Sequence, residues 1–230
     1  MAKPVFVIPA PARPSIPVSG TTARYPVRRI FCVGRNYAEH AREMGHDPNA
    51  EPPFFFTKPG DAVVDSGSAI PYPPATTDLH HEAELVVAIG TGGSNIARDA
   101  ALSHVWGYAA GNDLTRRDLQ AAAKAARRPW DMAKGFDHSA VIGALHRVTV
   151  AAELQGRIVC LVDGETRQDA DLADMIWPVA DIIAFLSASV TLEPGDLIMT
   201  GTPAGVGAIS RGQTCVVEID GLSPASITLT

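Results

Sequence analysis

The chain has 230 residues, a formal net charge of −6, 46% hydrophobic and 19% charged residues. This composition suits a folded globule with a sizeable core and excludes a disordered polyelectrolyte. No Lys/Arg block stands out, which argues against nucleic acid as a partner, and no segment reads as a signal peptide or a membrane span. Cys32, Cys160 and Cys215 show no CxxC spacing, which fits a reducing, cytoplasmic setting rather than structural zinc or a disulfide framework.

Residues 1–27, broken by Pro4, Pro9, Pro11, Pro14 and Pro17, read as an extended arm. It leads into a strand at 29–34 and a single catalytic domain over 28–230. A short helix is predicted over 36–44, with Asn36 as N-cap and Glu39 completing a capping box. The polar, proline-rich loop 46–53 follows. A helix this short is marginal alone, so helix and loop together suggest a mobile lid. Residues 54–58 read as a strand, and 60–74 as turns and short strands. Residues 82–89 give the clearest strand, closed by Gly90, and 102–110 are a second apolar stretch. A helix is predicted over 115–127, capped by Thr115 and Asp118, with an alanine-rich body. Asp163-Gly164 predicts a hairpin after strand 157–162. A helix over 178–187 opens with proline, and strands follow at 197–200 and 214–219. Many short strands and few helices, without βαβ alternation, predict a β-rich α+β domain and disfavour a Rossmann or barrel sheet.

Chemistry concentrates in a few places. Strand alternation puts Glu82 and Glu84 on one face, ahead of Val86 and Ala88. Two carboxylates leading into a buried face call for a hard dication; the plain alternative is two solvated side chains at a strand end. Asp113, alone, reads as a turn or capping residue. With the two glutamates it completes an all-oxygen set suited to Mg²⁺ or Mn²⁺ rather than zinc. His40 and Glu43, three apart on a helix, share a face. A carboxylate beside an imidazole makes a general base for water, although most such surface pairs have no role. Lys134, among aromatic residues, suits an oxyanion or is a packed surface lysine. Arg35, Arg116, Arg117 and Gln120 are candidate carboxylate binders. Residues 200–207 form a Gly-rich turn that is not a phosphate-binding P-loop, but whose amides can hold an anion.

In order along the chain come Cys32-Val33-Gly34-Arg35-Asn36-Tyr37-Ala38-Glu39-His40, Pro53-Phe54-Phe55-Phe56-Thr57-Lys58-Pro59, His81-Glu82-Ala83-Glu84-Leu85, Gly111-Asn112-Asp113, Lys134-Gly135-Phe136-Asp137 and Thr200-Gly201-Thr202-Pro203. This series resembles the fumarylacetoacetate hydrolase family, from about residue 28 to the end. The closer likeness is to its short bacterial fumarylpyruvate hydrolases and acylpyruvases. The resemblance implies an α+β, β-rich fold, a mixed β-roll with a short lid helix. It also implies a homodimer, Mg²⁺ or Mn²⁺ as cofactor, and a small diketo acid as substrate, cleaved by water at a carbon–carbon bond. By matching position it makes Glu82, Glu84 and Asp113 the metal ligands, and His40 with Glu43 the water-activating dyad. Lys134 becomes the oxyanion lysine, and Arg117, Gln120 and Thr202, with Arg35, the substrate contacts. One departure stands out: after Phe136-Asp137 the family usually carries a Gly-Pro turn, and here His138-Ser139-Ala140-Val141-Ile142-Gly143-Ala144 has no proline. Two other readings compete: a decarboxylase or isomerase of oxaloacetate-like diacids on the same centre, and a non-catalytic binder of small anions.

Overall fold

A computed structural model describes residues 5–43 and 52–230. Met44, Gly45 and residues 46–51 of the predicted lid loop lie outside the described residues. Among the described residues the chain is rich in strands, with helices α1 (Ala38–Glu43), α2 (Arg117–Ala125), α3 (Asp131–Lys134) and α4 (Val179–Ser189). No helix among them is long and apolar enough to cross a membrane.

The principal sheet runs Phe54–Lys58, Arg29–Gly34, Asp196–Met199, Ala83–Ile89, Val105–Asp113, Ala140–Ile142, Val63–Asp65. Its central strand, Ala83–Ile89, is buried at every position, because both faces of the sheet are covered. Alternation sorts its side chains accordingly. Leu85, Val87 and Ile89 join the larger core, with Ile158, Cys160, Val217 and Ile227 of a second sheet and Ile182 and Ile183 of α4. Val86 and Ala88 join a smaller core, with Ile30, Cys32, Leu197 and Met199. Ile16, Tyr25 and Val27, from the predicted arm, also pack into this smaller core, where Ser15–Pro17 and Arg24–Pro26 pair as two antiparallel strands. The second sheet runs Glu165–Asp171, Arg157–Val162, Thr214–Ile219, Ala225–Leu229, Ser68–Ile70. Its predicted hairpin turns through Asp163 and Gly164, both at positive φ, as a type I′ turn requires.

Two local expectations are corrected. Asn36 does not cap α1. It is fully buried, its amide donates to the carbonyls of Trp177 and Thr200, and its oxygen accepts from Trp177 N. Nor do Thr115 and Asp118 cap α2. Thr115–Arg116 is a short strand paired with Leu79–His81, and α2 begins at Arg117. Asp118 instead holds Thr76 and the Thr77 amide, so tertiary partners outcompete the local cap.

Candidate active site

The smaller core ends in carboxylates instead of apolar side chains. Glu84 precedes Val86 and Ala88 on the same face of its strand and stands in register with Gly111. Gly111 is required there, since a Cβ would lie 2.4 Å from Val86 Cγ2. Two residues beyond Gly111, Asp113 ends the neighbouring strand on the same face. Glu82 sits just before the strand, in the break between Leu79–His81 and Ala83–Ile89. Its carbonyl accepts from Asp113 N and its amide donates to Asn112 Oδ1, which locks the three acids together. All three are buried, and one oxygen of each lies within 4.8 Å of the others.

Such a cluster needs matched positive charge. Lys134, the last residue of α3, places Nζ 2.7 Å from both Glu82 Oε2 and Asp113 Oδ2. Arg117, the first residue of α2, donates to Glu82 Oε1 and to Gln120 Oε1. Lys58 is fully buried, with Nζ 2.7 Å from Asp113 Oδ1, and donates to the carbonyls of Leu114 and Lys134. Burial alone would raise the pKa of Glu82, but the charges of Lys134 and Arg117 outweigh it and hold the carboxyl well below its usual range. Burial likewise opposes the Lys134 ammonium, yet Asp113 and Glu82 push its pKa above the ordinary value. Glu84 is different. Its hydrogen-bonded contact is the amide of Gly201, and burial, then the charges of Asp113 and Glu82, drive its pKa well upward. Three hard oxygen donors with one carboxylate short of a cation fit a divalent metal such as Mg²⁺ or Mn²⁺.

His40 on α1 lines the same cleft. Its Nδ1 lies 3.2 Å from Glu43 Oε2; in the tautomer that donates from Nδ1 to this carboxyl, Nε2 is left as an acceptor. Burial depresses the pKa of His40 below its ordinary 6.5, against the opposing pull of Glu82 and Glu43. The amides of the Gly-rich turn meet the protein's own carboxyl groups: Gly201 N donates to Glu84 and Gly205 N to Glu43. Thr202 also lines the cleft and accepts from Gln168 Nε2. Gln168 in turn accepts from Ala83 N beside the two glutamates. Arg35 lines the cleft at positive φ, its guanidinium 5.1 Å from the Phe54 ring. Arg116 is turned away, stacked on Phe136. The turn lacking the family's proline is held otherwise: Ser139 Oγ donates to the Lys134 carbonyl and His138 takes a positive φ.

The structure therefore gathers Glu82, Glu84, Asp113, Lys134, Arg117, Gln120, His40, Glu43, Arg35 and Thr202 around one cleft and its margins. Sequence reasoning missed Lys58, Gln168 and the true role of Asn36. For Lys58 a signal existed: strand alternation puts it on one face with Phe54 and Phe56, an unusual place for an unpaired charge.

The family model described as "Fumarylacetoacetate (FAA) hydrolase C-terminal" matches residues 29–230. The chain is 42% identical to a fumarylpyruvate hydrolase of a Ralstonia species, over 80% of this chain and 95% of that one. It is 41% identical to an oxaloacetate decarboxylase of Dictyostelium discoideum, over 85% and 90%. Among solved structures, the fumarylpyruvate hydrolase of Pseudomonas aeruginosa in complex with Mn²⁺ and pyruvate superposes with a TM-score of 0.94 at 48% identity, covering 98% of this chain and 99% of that one.

Lys58→Met removes one buried cation from Asp113, and breaking such a pair is expected to cost about 3–5 kcal/mol of stability without metal. Mn²⁺ is expected to restore more stability to this variant than to the wild type, since a dication supplies the missing charge. Urea denaturation with EDTA and with Mn²⁺ measures both; a variant as stable as wild type in EDTA would contradict the charge-matching account.

Proposed function

The chain belongs to the fumarylacetoacetate hydrolase family, and on that premise we propose that it hydrolyses a carbon–carbon bond in an acylpyruvate, with fumarylpyruvate, giving fumarate and pyruvate, as the substrate of first choice. The observation that carries the reading is the joint presence, on one cleft, of an all-oxygen metal set and a His40–Glu43 base. A binder of small anions needs the first and has no use for the second.

A divalent ion held by Glu82, Glu84 and Asp113 would supply Lewis-acid polarisation of the pyruvyl oxygens. The protein's own groups supply the rest. Arg117 and Gln120, hydrogen-bonded to each other at one wall, orient the substrate carboxylate. His40 Nε2 removes a proton from water, and the resulting hydroxide adds to the distal carbonyl. Collapse of the tetrahedral adduct breaks the carbon–carbon bond and leaves the acid and the enolate of pyruvate. Lys134 has two ammonium protons engaged by Glu82 and Asp113, which leaves a third to donate to the developing enolate charge. Protonated His40 returns its proton to the enolate carbon, which completes pyruvate and resets the base.

A second reading, decarboxylation or isomerisation of oxaloacetate, is favoured by the similarity to the Dictyostelium enzyme. Enolate stabilisation by the same centre would serve it, whereas a water-activating dyad would stand idle.

The direct test follows loss of the enol chromophore of fumarylpyruvate with EDTA, then with Mg²⁺ or Mn²⁺. Metal-dependent release of fumarate and pyruvate is expected; carbon dioxide from oxaloacetate with intact acylpyruvates would move the assignment to the second reading. His40→Ala is expected to lower kcat by about 10²-fold or more while Mn²⁺ binding persists. Because the neutral imidazole is the active form and its pKa is depressed, the wild-type rate should fall only as pH drops below 6.5. A variant that keeps that acid limb would show that another group is the base.

A further inference from the structure

The cleft continues beyond the reacting centre along α2. Arg117, Gln120 and Lys124 are spaced by three and seven residues, which puts them on one helix face, and all three line the cleft. A rise of 1.5 Å per residue sets Lys124 about 10 Å along the axis from Arg117, whose other end grips Glu82. Lys124 Nζ lies 5.1 Å from the centre of the Trp130 ring. Trp130 meets Phe54 edge to face at 5.5 Å, and Arg35 stands over Phe54 on the same wall. The far part of the cleft is thus an apolar slot of two aromatic rings with a cation on each.

Lys124 is half-buried, and among the described residues no carboxylate lies within ion-pair distance of it. Burial opposes its charge, and Arg117 and Arg35 oppose it further. A solvent-seeking lysine with a packed stem would swing away from two guanidiniums; this one is turned over Trp130 into the cleft. Arg117 is matched by Glu82; Lys124 has no such match among the described residues, so it can take an anion from outside the protein.

We propose that Lys124 receives a carboxylate at the distal end of the substrate, so that the cleft selects acylpyruvates whose acyl chain ends in a carboxylate. The assignment rests on the hydrolase reading above. Lengths agree with it. A seven-carbon unsaturated diacid spans roughly 7–8 Å between its terminal carboxyl carbons, whereas four-carbon oxaloacetate spans roughly 4 Å. Anchored at Arg117 and the acidic trio, the longer chain lies flat along Phe54 and Trp130 and arrives within reach of the flexible lysine; the shorter one stops before it.

The test compares Mn²⁺-loaded wild type, Lys124→Met and Lys124→Arg on fumarylpyruvate and on acetylpyruvate, which shares the pyruvyl end but finishes in a methyl group. The ratio of KM values, fumarylpyruvate over acetylpyruvate, is expected to rise by roughly 10- to 100-fold in Lys124→Met, as the loss of one charge-assisted hydrogen bond requires. Lys124→Arg is expected to recover most of that loss, with the change falling on KM and not on kcat. An unchanged ratio in Lys124→Met overturns this assignment alone. Turnover of neither compound by the wild type overturns the hydrolase reading and this assignment with it.

Discussion

Three carboxylates buried within a few ångströms of one another impose the constraint on which the rest of this structure depends. Their mutual repulsion and their lost hydration have to be offset inside the protein, and the fold supplies the means from four separate places. Lys58 arrives from the edge strand of the principal sheet, Arg117 and Lys134 from α2 and α3, and the Gly201 amide from the turn after Asp196–Met199. The match stops one cation short at Glu84. That shortfall is our ground for proposing a divalent-metal site and not merely a buried ion-pair network, which by itself is weak evidence for anything but a specific geometry.

The same arrangement explains why the site tolerates so much charge without losing its shape. Each acid is fixed through the backbone as well as the side chain: Glu82 through Asn112 and Asp113, Glu84 through the strand pairing with Gly111, Asp113 through Glu82 and the strand pairing with Ala140. His40, the proposed base, sits apart from this cluster on α1 and is tied through Glu43 to Gly205; its proton affinity is set mainly by burial and only secondarily by the acids. The oxaloacetate decarboxylase of Dictyostelium discoideum, at 41% identity to this chain, stands close to the fumarylpyruvate hydrolases of the Ralstonia species and Pseudomonas aeruginosa, at 42% and 48%. Under the proposed mechanism an enolate-stabilising centre would serve both reactions, which leaves the His40–Glu43 pair and the aromatic far wall as the parts that would separate them.

Much of the centre was legible in the sequence because it rests on short-range periodicity. Alternation joined Glu82 to Glu84, helical spacing joined His40 to Glu43, and the ordered motifs added Asp113 and Lys134. What stayed hidden depends on partners far apart in the chain. Asn36 looks like a helix cap, yet its amide bridges Trp177 and Thr200. Gln168 has no local signature at all, although it links Ala83, His81 and Thr202. Thr115 looks like a cap and is a strand residue, because pairing with Leu79–His81 satisfies more backbone groups than a cap would. Residues 1–27 read as an extended arm, and their prolines obscure the pattern by which Ile16 and Tyr25 pack in the smaller core.

The central claim is that Glu82, Glu84 and Asp113 form one divalent-cation site whose missing charge lies at Glu84. Titration of the protein with Mn²⁺, with the free ion followed by electron paramagnetic resonance, tests it most directly in the wild type and in Glu84→Gln, a variant of nearly the same shape without the charge. The account predicts saturable binding of one ion per chain in the wild type and its loss in the variant. Equal binding by both, or none by the wild type, would contradict it.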